Sequence, residues 1–207
     1  MPGGGDQGRH EWLLSEATAA AGLLDLPALF GNDRPVELEI GTGKGTFLLA
    51  RARLREELNF VGLEWARGYC EYAADRFSRA GLTNVRMLRA EAGAFVKHCL
   101  ADESLQRMHI YFPDPWPKRR HHIRRLIQPA FLRQAWRVLK PGGQLIIVTD
   151  HLDYFTHIRS VLGTIPRFAV IPIPRLAQDS SELVGTNFER KYIAQGRPFF
   201  ATARLKY

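Results

Sequence analysis

The sequence predicts an α/β fold: a mostly parallel sheet with helices on both faces. Three observations carry that prediction. From Val36 onward, short runs of β-compatible residues alternate with stretches of helical periodicity, the pattern of successive βαβ units. Glycine and proline punctuate the boundaries, at Gly41, Gly43 and Gly45, at Pro129, and at Pro141-Gly142-Gly143. A chain of 207 residues, 45% hydrophobic and 24% charged, suits one soluble domain able to bury a core.

Taken in order, residues 1–9 are Gly-rich and expected to be disordered. Residues 10–34 form a lead-in, with a helix expected over His10 to Leu24 that aligns Trp12, Leu13, Ala17, Ala20 and Leu24. Strands are expected at Val36–Ile40, Asn59–Glu64, Asn84–Arg89, Met108–Phe112 and Gln144–Thr149. Helices are expected between them, near 44–55, 66–80, 91–100 and 129–139. Pro129 suits a first helical position and leaves Phe131, Ala135, Val138 and Leu139 on one face. Pro141-Gly142-Gly143 then stops that helix. A further helix over 151–163 turns Phe155, Ile158 and Leu162 inward. The segment 166–185, with prolines at 166, 172 and 174, fits no element, and Phe199 to Tyr207 reads as a last strand. No repeat or interdomain linker interrupts the chain, so a single domain over 1–207 is expected.

Twenty-nine Lys/Arg against 21 Asp/Glu give a net charge of +8 and a pI near 9.9, which favours an anionic partner. The excess is concentrated, because residues 118–125 hold five Lys/Arg and no acid. Cys70 and Cys99 have no C-x-x-C or His-bearing context and read as reduced core thiols of a cytoplasmic protein. The N-terminus lacks an apolar leader, and no apolar run approaches a membrane span.

The chemistry gathers at predicted strand ends. Glu37-Leu-Glu39-Ile-Gly41-Thr-Gly43-Lys-Gly45 runs from strand to glycine turn to helix, and its glycines let backbone approach a ligand. The spacing is neither the G-x-G-x-x-G of dinucleotide sites nor a P-loop. An acid just before such a turn repels pyrophosphate and suits a cationic ligand, as S-adenosylmethionine is. Glu64 ends the strand that follows, where an acid takes ribose hydroxyls. Glu91, Asp114 and Asp150 also lie at strand ends, giving five rim carboxylates with Glu39 and Glu64. One or two would be ordinary helix caps. No pair has metal-ligand spacing and no His accompanies them, so no metal is expected.

The stretch His109 to Arg125, HIYFPDPWPKRRHHIRR, is the most distinctive in the chain. Its prolines fix a stiff turn that presents Asp114 and Trp116 at a strand end. Lys118, Arg119, Arg120, Arg124 and Arg125 follow, placed to hold phosphates beside an aromatic and a carboxylate that handle a base. Trp116 either stacks on that base or walls the pocket. Near the end, Thr186-Asn187-Phe188-Glu189 is a T-x-x-E capping box, which by itself is structural.

Together, LEIGTGKGTF (38–47), NFVGLEW (59–65), FPDPWPKRRHHIRRL (112–126), LKPGG with VTD (139–150) and TNFE (186–189) make the chain resemble the bacterial tRNA (guanine-N(7)-)-methyltransferases. The resemblance implies a Rossmann-like class I methyltransferase fold whose seven-stranded sheet ends in an antiparallel strand. It implies S-adenosylmethionine contacts at Glu39, Glu64, Glu91 and Asp114, with Asp114 catalytic. Lys118, Asp150, Thr186, Asn187, Phe188 and Glu189 correspond to its substrate contacts. The chain departs from the family pattern in Glu91 for Asp or Asn, His151 for an aromatic, Asn187 for Lys, and a Gly-rich N-terminus.

The reaction expected from this resemblance is methylation of the 7-nitrogen of a guanine in the variable loop of tRNA, by a monomer or homodimer. That nitrogen carries a lone pair and no proton, so alignment outweighs general-base catalysis. Two other classes fit the residues: a class I methyltransferase acting on another RNA, a protein or a small molecule, and a non-catalytic RNA-binding module.

Overall fold

The computed structural model describes residues 12–15, 22–177, 179 and 181–207. The chain forms two compact units, Met1–Ala101 and Asp102–Tyr207. Each contributes four of the eight strands found among the described residues.

The first unit contains β1 (Leu13–Leu14), α1 (Leu26–Phe30), β2 (Val36–Ile40), α2 (Thr46–Leu54), β3 (Asn59–Leu63), α3 (Arg67–Arg79), β4 (Val85–Leu88) and α4 (Ala92–His98). Its strands lie parallel in the order β1-β4-β3-β2, with Val36 opposite Asn59 and Phe60 opposite Val85. Parallel neighbours need crossover connections, which α2 and α3 supply. Every residue of β2 and β3 is buried, as expected of strands covered on both faces. Phe47, Leu48 and Ala52 of α2, and Cys70, Ala73, Ala74 and Phe77 of α3, are buried with them. A fully buried Leu or Phe of this kind stabilises by about 1.5–3 kcal/mol. Gly62 is required in β3, since a Cβ there would lie 2.5 Å from Met87 Sδ and 2.8 Å from Leu48 Cδ1. One ion pair is enclosed in this core: both guanidinium contacts of Arg51 to Glu37 measure 3.2 Å. Losing one partner of such a pair costs far more than the intact pair contributes.

Of the helix expected over His10–Leu24, Trp12 is helical, but Leu13 and Leu14 are extended. They pair with Met87 and Leu88. The open edge of β4 offers unpaired amides and carbonyls, and an extended segment satisfies them where a helix would not. Residues 1–11, including the expected disordered segment, and residues 16–21 lie outside the described residues. Among the described residues, the lead-in also holds the short helix α1, which has a readable local cause. Asp25 caps it by accepting from Ala28 N at 2.9 Å, Pro27 sits in its first turn, and Gly31 closes it at φ 68°.

The second unit contains β5 (Leu105–Tyr111), a 3-10 helix (Arg119–Arg124), α5 (Pro129–Val138), β6 (Leu139–Thr149), α6 (Leu152–Gly163), β7 (Phe168–Ile171), α7 (Asn187–Ala194) and β8 (Phe200–Lys206). Its strand order is β5-β6-β8-β7. β5 and β6 are parallel, whereas β8 runs antiparallel to both β6 and β7. The turn expected at Pro141-Gly142-Gly143 falls inside β6, which begins as soon as α5 ends. Gly143 is required there, because a Cβ would lie 2.8 Å from the Lys140 carbonyl oxygen. β7 occupies part of the unassigned 166–185 stretch, confined between Pro166 and Pro172. Eight strands thus replace the seven implied by the resemblance, and β1 is the addition.

Candidate functional site

β2 brings Glu39 to the start of the glycine turn. Gly41, Gly43 and Gly45 adopt φ of 78°, 54° and 71°, in the left-handed region that favours glycine. Their roles differ. A Cβ at 41 or 43 would meet nothing within 4 Å, so the backbone there is open to a ligand. A Cβ at 45 would lie 2.8 Å from Phe77 Cζ and 3.0 Å from Ala73 Cβ. Gly45 therefore serves the packing of α3 on the start of α2, a role the motif spacing did not distinguish.

Glu39 is 3% exposed, and its Oε2 has no hydrogen-bond partner among the described residues. Burial pushes its carboxyl well above the usual carboxylate range; a hydrogen bond from Thr42 offsets part of this, and the charge of Glu64 adds to it. A buried acid with a vacant acceptor at a strand end is suited to a cation or a hydrogen-bond donor. Glu64 ties the end of β3 to the glycine turn: Oε2 accepts from Gly43 N at 2.8 Å and Oε1 from Ala66 N at 2.9 Å. Each oxygen keeps a further lone pair for a hydroxyl. Glu91 is exposed and caps α4, accepting from Gly93 N at 2.9 Å and Ala94 N at 2.6 Å. That cap accounts for an acid at 91 by itself.

In the second unit, Phe112 N donates to the Val148 carbonyl at 2.7 Å, so the FPDPWP turn leaves β5 alongside β6. Phe112 and Trp116 adopt φ of 51° and 43°. Left-handed backbone at a residue other than glycine costs on the order of 1–3 kcal/mol, and such strain concentrates at functional turns. Between these two residues stands Asp114, exposed to solvent. Arg124 lies 5.1 Å over the Trp116 ring and His121 meets its edge at 5.9 Å, so this indole also organises the basic segment.

Lys118, Arg119, Arg120 and Arg124 are exposed along the 3-10 helix and its cap. Arg125 is not. It is 2% exposed, donates to the Pro115 carbonyl at 2.8 Å, pairs with Asp153, and lies 4.9 Å over the Tyr154 ring. The phosphate contact expected of Arg125 is therefore corrected: its guanidinium bolts the turn onto α6. The two arginines at 124 and 125 look alike in sequence, but only one reaches solvent.

The T-x-x-E segment shows the same division. Thr186 Oγ1 accepts from Glu189 N at 3.1 Å and caps α7. Glu189 has no exposure, and its carboxylate accepts the N–H groups of Leu183, Val184 at 2.9 Å and Gly185 at 2.7 Å. The direct substrate contact implied for Glu189 gives way to a structural one, because its oxygens are spent on the loop before α7. Asn187 and Phe188 face outward, Phe188 being 53% exposed. Asp150, at the end of β6, receives Arg197 Nη2 at 3.3 Å. Reading the sequence missed Arg197 and Tyr192; the four-residue spacing of Phe188 and Tyr192 on one helix was the available signal.

Among the described residues, no cluster of three or more His, Cys, Asp or Glu could hold a metal, and no helix is long and apolar enough to cross a membrane.

The family model described as "Putative methyltransferase" matches residues 33–202. A tRNA (guanine-N(7)-)-methyltransferase of Alkalilimnicola ehrlichii is 37% identical over 177 residues, covering 86% of this chain and 75% of the relative. One from Rhodopirellula baltica is 36% identical over 195 residues, covering 88% and 72%. Among solved structures, a SAM-dependent methyltransferase from Aquifex aeolicus superposes with a TM-score of 0.58 at 18% identity, covering 98% of this chain and 94% of that one. The 16S rRNA methyltransferase KamB superposes at 0.63 with 16% identity, covering 89% and 94%. These structural likenesses carry the Rossmann-like methyltransferase fold. From the family match and the two sequence relatives, the chain belongs to the bacterial tRNA (guanine-N(7)-)-methyltransferase family.

Proposed function

We propose that this protein transfers a methyl group from S-adenosylmethionine to the 7-nitrogen of a guanine in the variable loop of tRNA. The observation that carries this reading is the strained turn that presents Asp114 and runs directly into four exposed cations, Lys118, Arg119, Arg120 and Arg124. A carboxylate to hold a base, followed at once by a phosphate-binding segment, suits an RNA substrate better than a protein or a small molecule.

The residues of the first unit fit S-adenosylmethionine. Glu39, buried and lacking a partner at Oε2 among the described residues, suits the donor's cationic amino acid end. Gly41 and Gly43 leave room where side chains would stand. Glu64 keeps lone pairs for ribose hydroxyls while its hydrogen bonds hold the glycine turn. When bound, the cofactor supplies a methyl group on a sulfonium centre.

The chain's own part is positioning and electrostatics. Asp114 accepts hydrogen bonds from the guanine Watson–Crick edge, keeps the ring in plane, and opposes the positive charge that arrives on it. The four cations hold the flanking phosphates while the base is splayed from its stack. No proton leaves the 7-nitrogen, so no general base is needed. Labelled methyl transfer to tRNA with a guanine at the variable-loop position, against the same tRNA with adenine there, tests the proposal. Label confined to the guanine form is the expected result, and equal labelling of both would refute it.

A further inference from the structure

Two residues beside Asp150, Arg197 and Tyr192, have no role in the reaction above. Arg197 donates to Asp150 Oδ2 at 3.3 Å, and its guanidinium lies 4.5 Å over the Tyr192 ring. Burial, and with it the nearby Asp150 carboxylate, pushes the Tyr192 phenol up. Tyr192 stands in an aromatic cluster: Phe112 lies 5.4 Å away and Phe188 stacks at 6.4 Å, while Phe112 and Phe188 meet at 5.7 Å. These rings join α7 to the turn that carries Asp114. Tyr111 pairs with Val148, so Asp114 and Asp150 leave neighbouring strand ends, each a few residues beyond that pair. Phe188 is the ring of the cluster that most faces solvent.

The chemistry of the target sharpens what such a group is for. Adenine, hypoxanthine and guanine all carry a lone pair on the 7-nitrogen, so the attacking atom cannot distinguish them. Stacking on an aromatic face is equally tolerant of base identity. Guanine differs from hypoxanthine only by its exocyclic amino group, a donor that an ionised carboxylate accepts from strongly.

We propose that Arg197 and Tyr192 are positioning residues that aim the Asp150 carboxylate at the 2-amino group of the target base, making the enzyme selective for 2-aminopurines. Arg197 fixes one oxygen from above the Tyr192 ring, and the Tyr192 hydroxyl sets the orientation of the group. Asp150 keeps 23% of its side chain exposed, which leaves it acceptor capacity toward a ligand. The inference rests on the proposed guanine methylation.

Single-turnover methyl transfer on two tRNA transcripts, with guanosine or inosine at the target position, tests it. The wild type should favour guanosine by about tenfold or more, the scale of one hydrogen bond to a charged group. Arg197→Gln should bring that ratio close to one, Tyr192→Phe should reduce it while keeping the ring, and Arg197→Lys should restore part of it. In each variant KM for tRNA should rise while the dissociation constant for S-adenosylmethionine stays unchanged. Variants that lose activity on both transcripts by the same factor would show a structural role only and overturn the proposal. If a variant misfolds, the wild type alone decides: it should methylate a 2-aminopurine transcript faster than a purine one, and equal rates would overturn the idea. A wild type that accepts guanosine and inosine alike sinks this inference but leaves the reaction standing. No methylation of the guanosine transcript sinks both.

Discussion

Residues 1–101 carry 12 Lys/Arg against 13 Asp/Glu, and residues 102–207 carry 17 against 8, so the two units have net charges of −1 and +9. The chain's basic character belongs to one half. In the first unit the notable charged group is an acid, Glu39, buried with an oxygen left unpartnered among the described residues. In the second it is a group of cations, Lys118, Arg119, Arg120 and Arg124, left in solvent. On the proposed function, the contrast follows the ligands: a small cationic cofactor would be met by a desolvated carboxylate, and a polyanion by exposed, hydrated cations. Desolvation strengthens a single charge–charge contact, whereas phosphate binding draws on many weak contacts and counterion release.

The largest expected effect lies in the basic unit. Asp114→Ala should lower kcat about 10²-fold or more, the scale of one transition-state-stabilising group, without changing thermal unfolding. Near-wild-type turnover would remove the FPDPWP turn from the chemistry.

The acid unit is tested by Glu39→Gln. Calorimetry should show S-adenosylmethionine binding weakened by about tenfold or more, while the melting temperature at higher pH rises because no carboxyl is left to ionise in the buried site. The pH dependence has a definite sign. Glu39 holds its proton more tightly folded than unfolded, so this residue's contribution to stability falls as pH climbs from the ordinary carboxylate range through its raised value. Glu39→Gln should flatten that fall. Cofactor affinity of the wild type should rise over the same interval, since a cation favours the ionised acid. A pH-independent affinity would detach Glu39 from the cofactor.

Two neighbouring arginines then separate binding from folding. Arg124→Gln should lower the salt slope of tRNA binding by about one and leave the melting curve alone. Arg125→Gln should do the reverse, costing about 2 kcal/mol of stability through its lost buried hydrogen bonds. The smallest effect is expected at Glu91: Glu91→Ala should cost about 1 kcal/mol through the lost cap, with a few-fold loss of cofactor affinity. Loss of stability alone would leave Glu91 a cap and nothing more.

What the sequence disclosed depended on whether the cause was local. The five strands from Val36 to Thr149, the glycine turn and the Thr186 cap all rest on residues a few positions apart, and they were legible. β1 was not, because Leu13 and Leu14 take their extended form from an edge more than 70 residues away. Arg125 reads as a ligand contact because its charge sits among functional neighbours, and Glu189 only because the family resemblance implies one. Their partners, the Pro115 carbonyl with Asp153 and the amides of Leu183 to Gly185, are supplied by the fold. Charge in a sequence identifies a group that must be satisfied; whether a ligand or the protein satisfies it is settled by burial.

The left-handed backbone at Phe112 and Trp116 bears on how this chain tolerates change. Glycine at either position would relieve the backbone, so selection for heat resistance alone would tend to admit it. Phe112 is anchored by its aromatic neighbours, which leaves Trp116, held mainly by Arg124 and His121, as the freer of the two. A library screened for thermal survival should therefore accumulate Trp116→Gly, and one screened for methyl transfer should purge it. The persistence of a tryptophan there would then record continued use of the site.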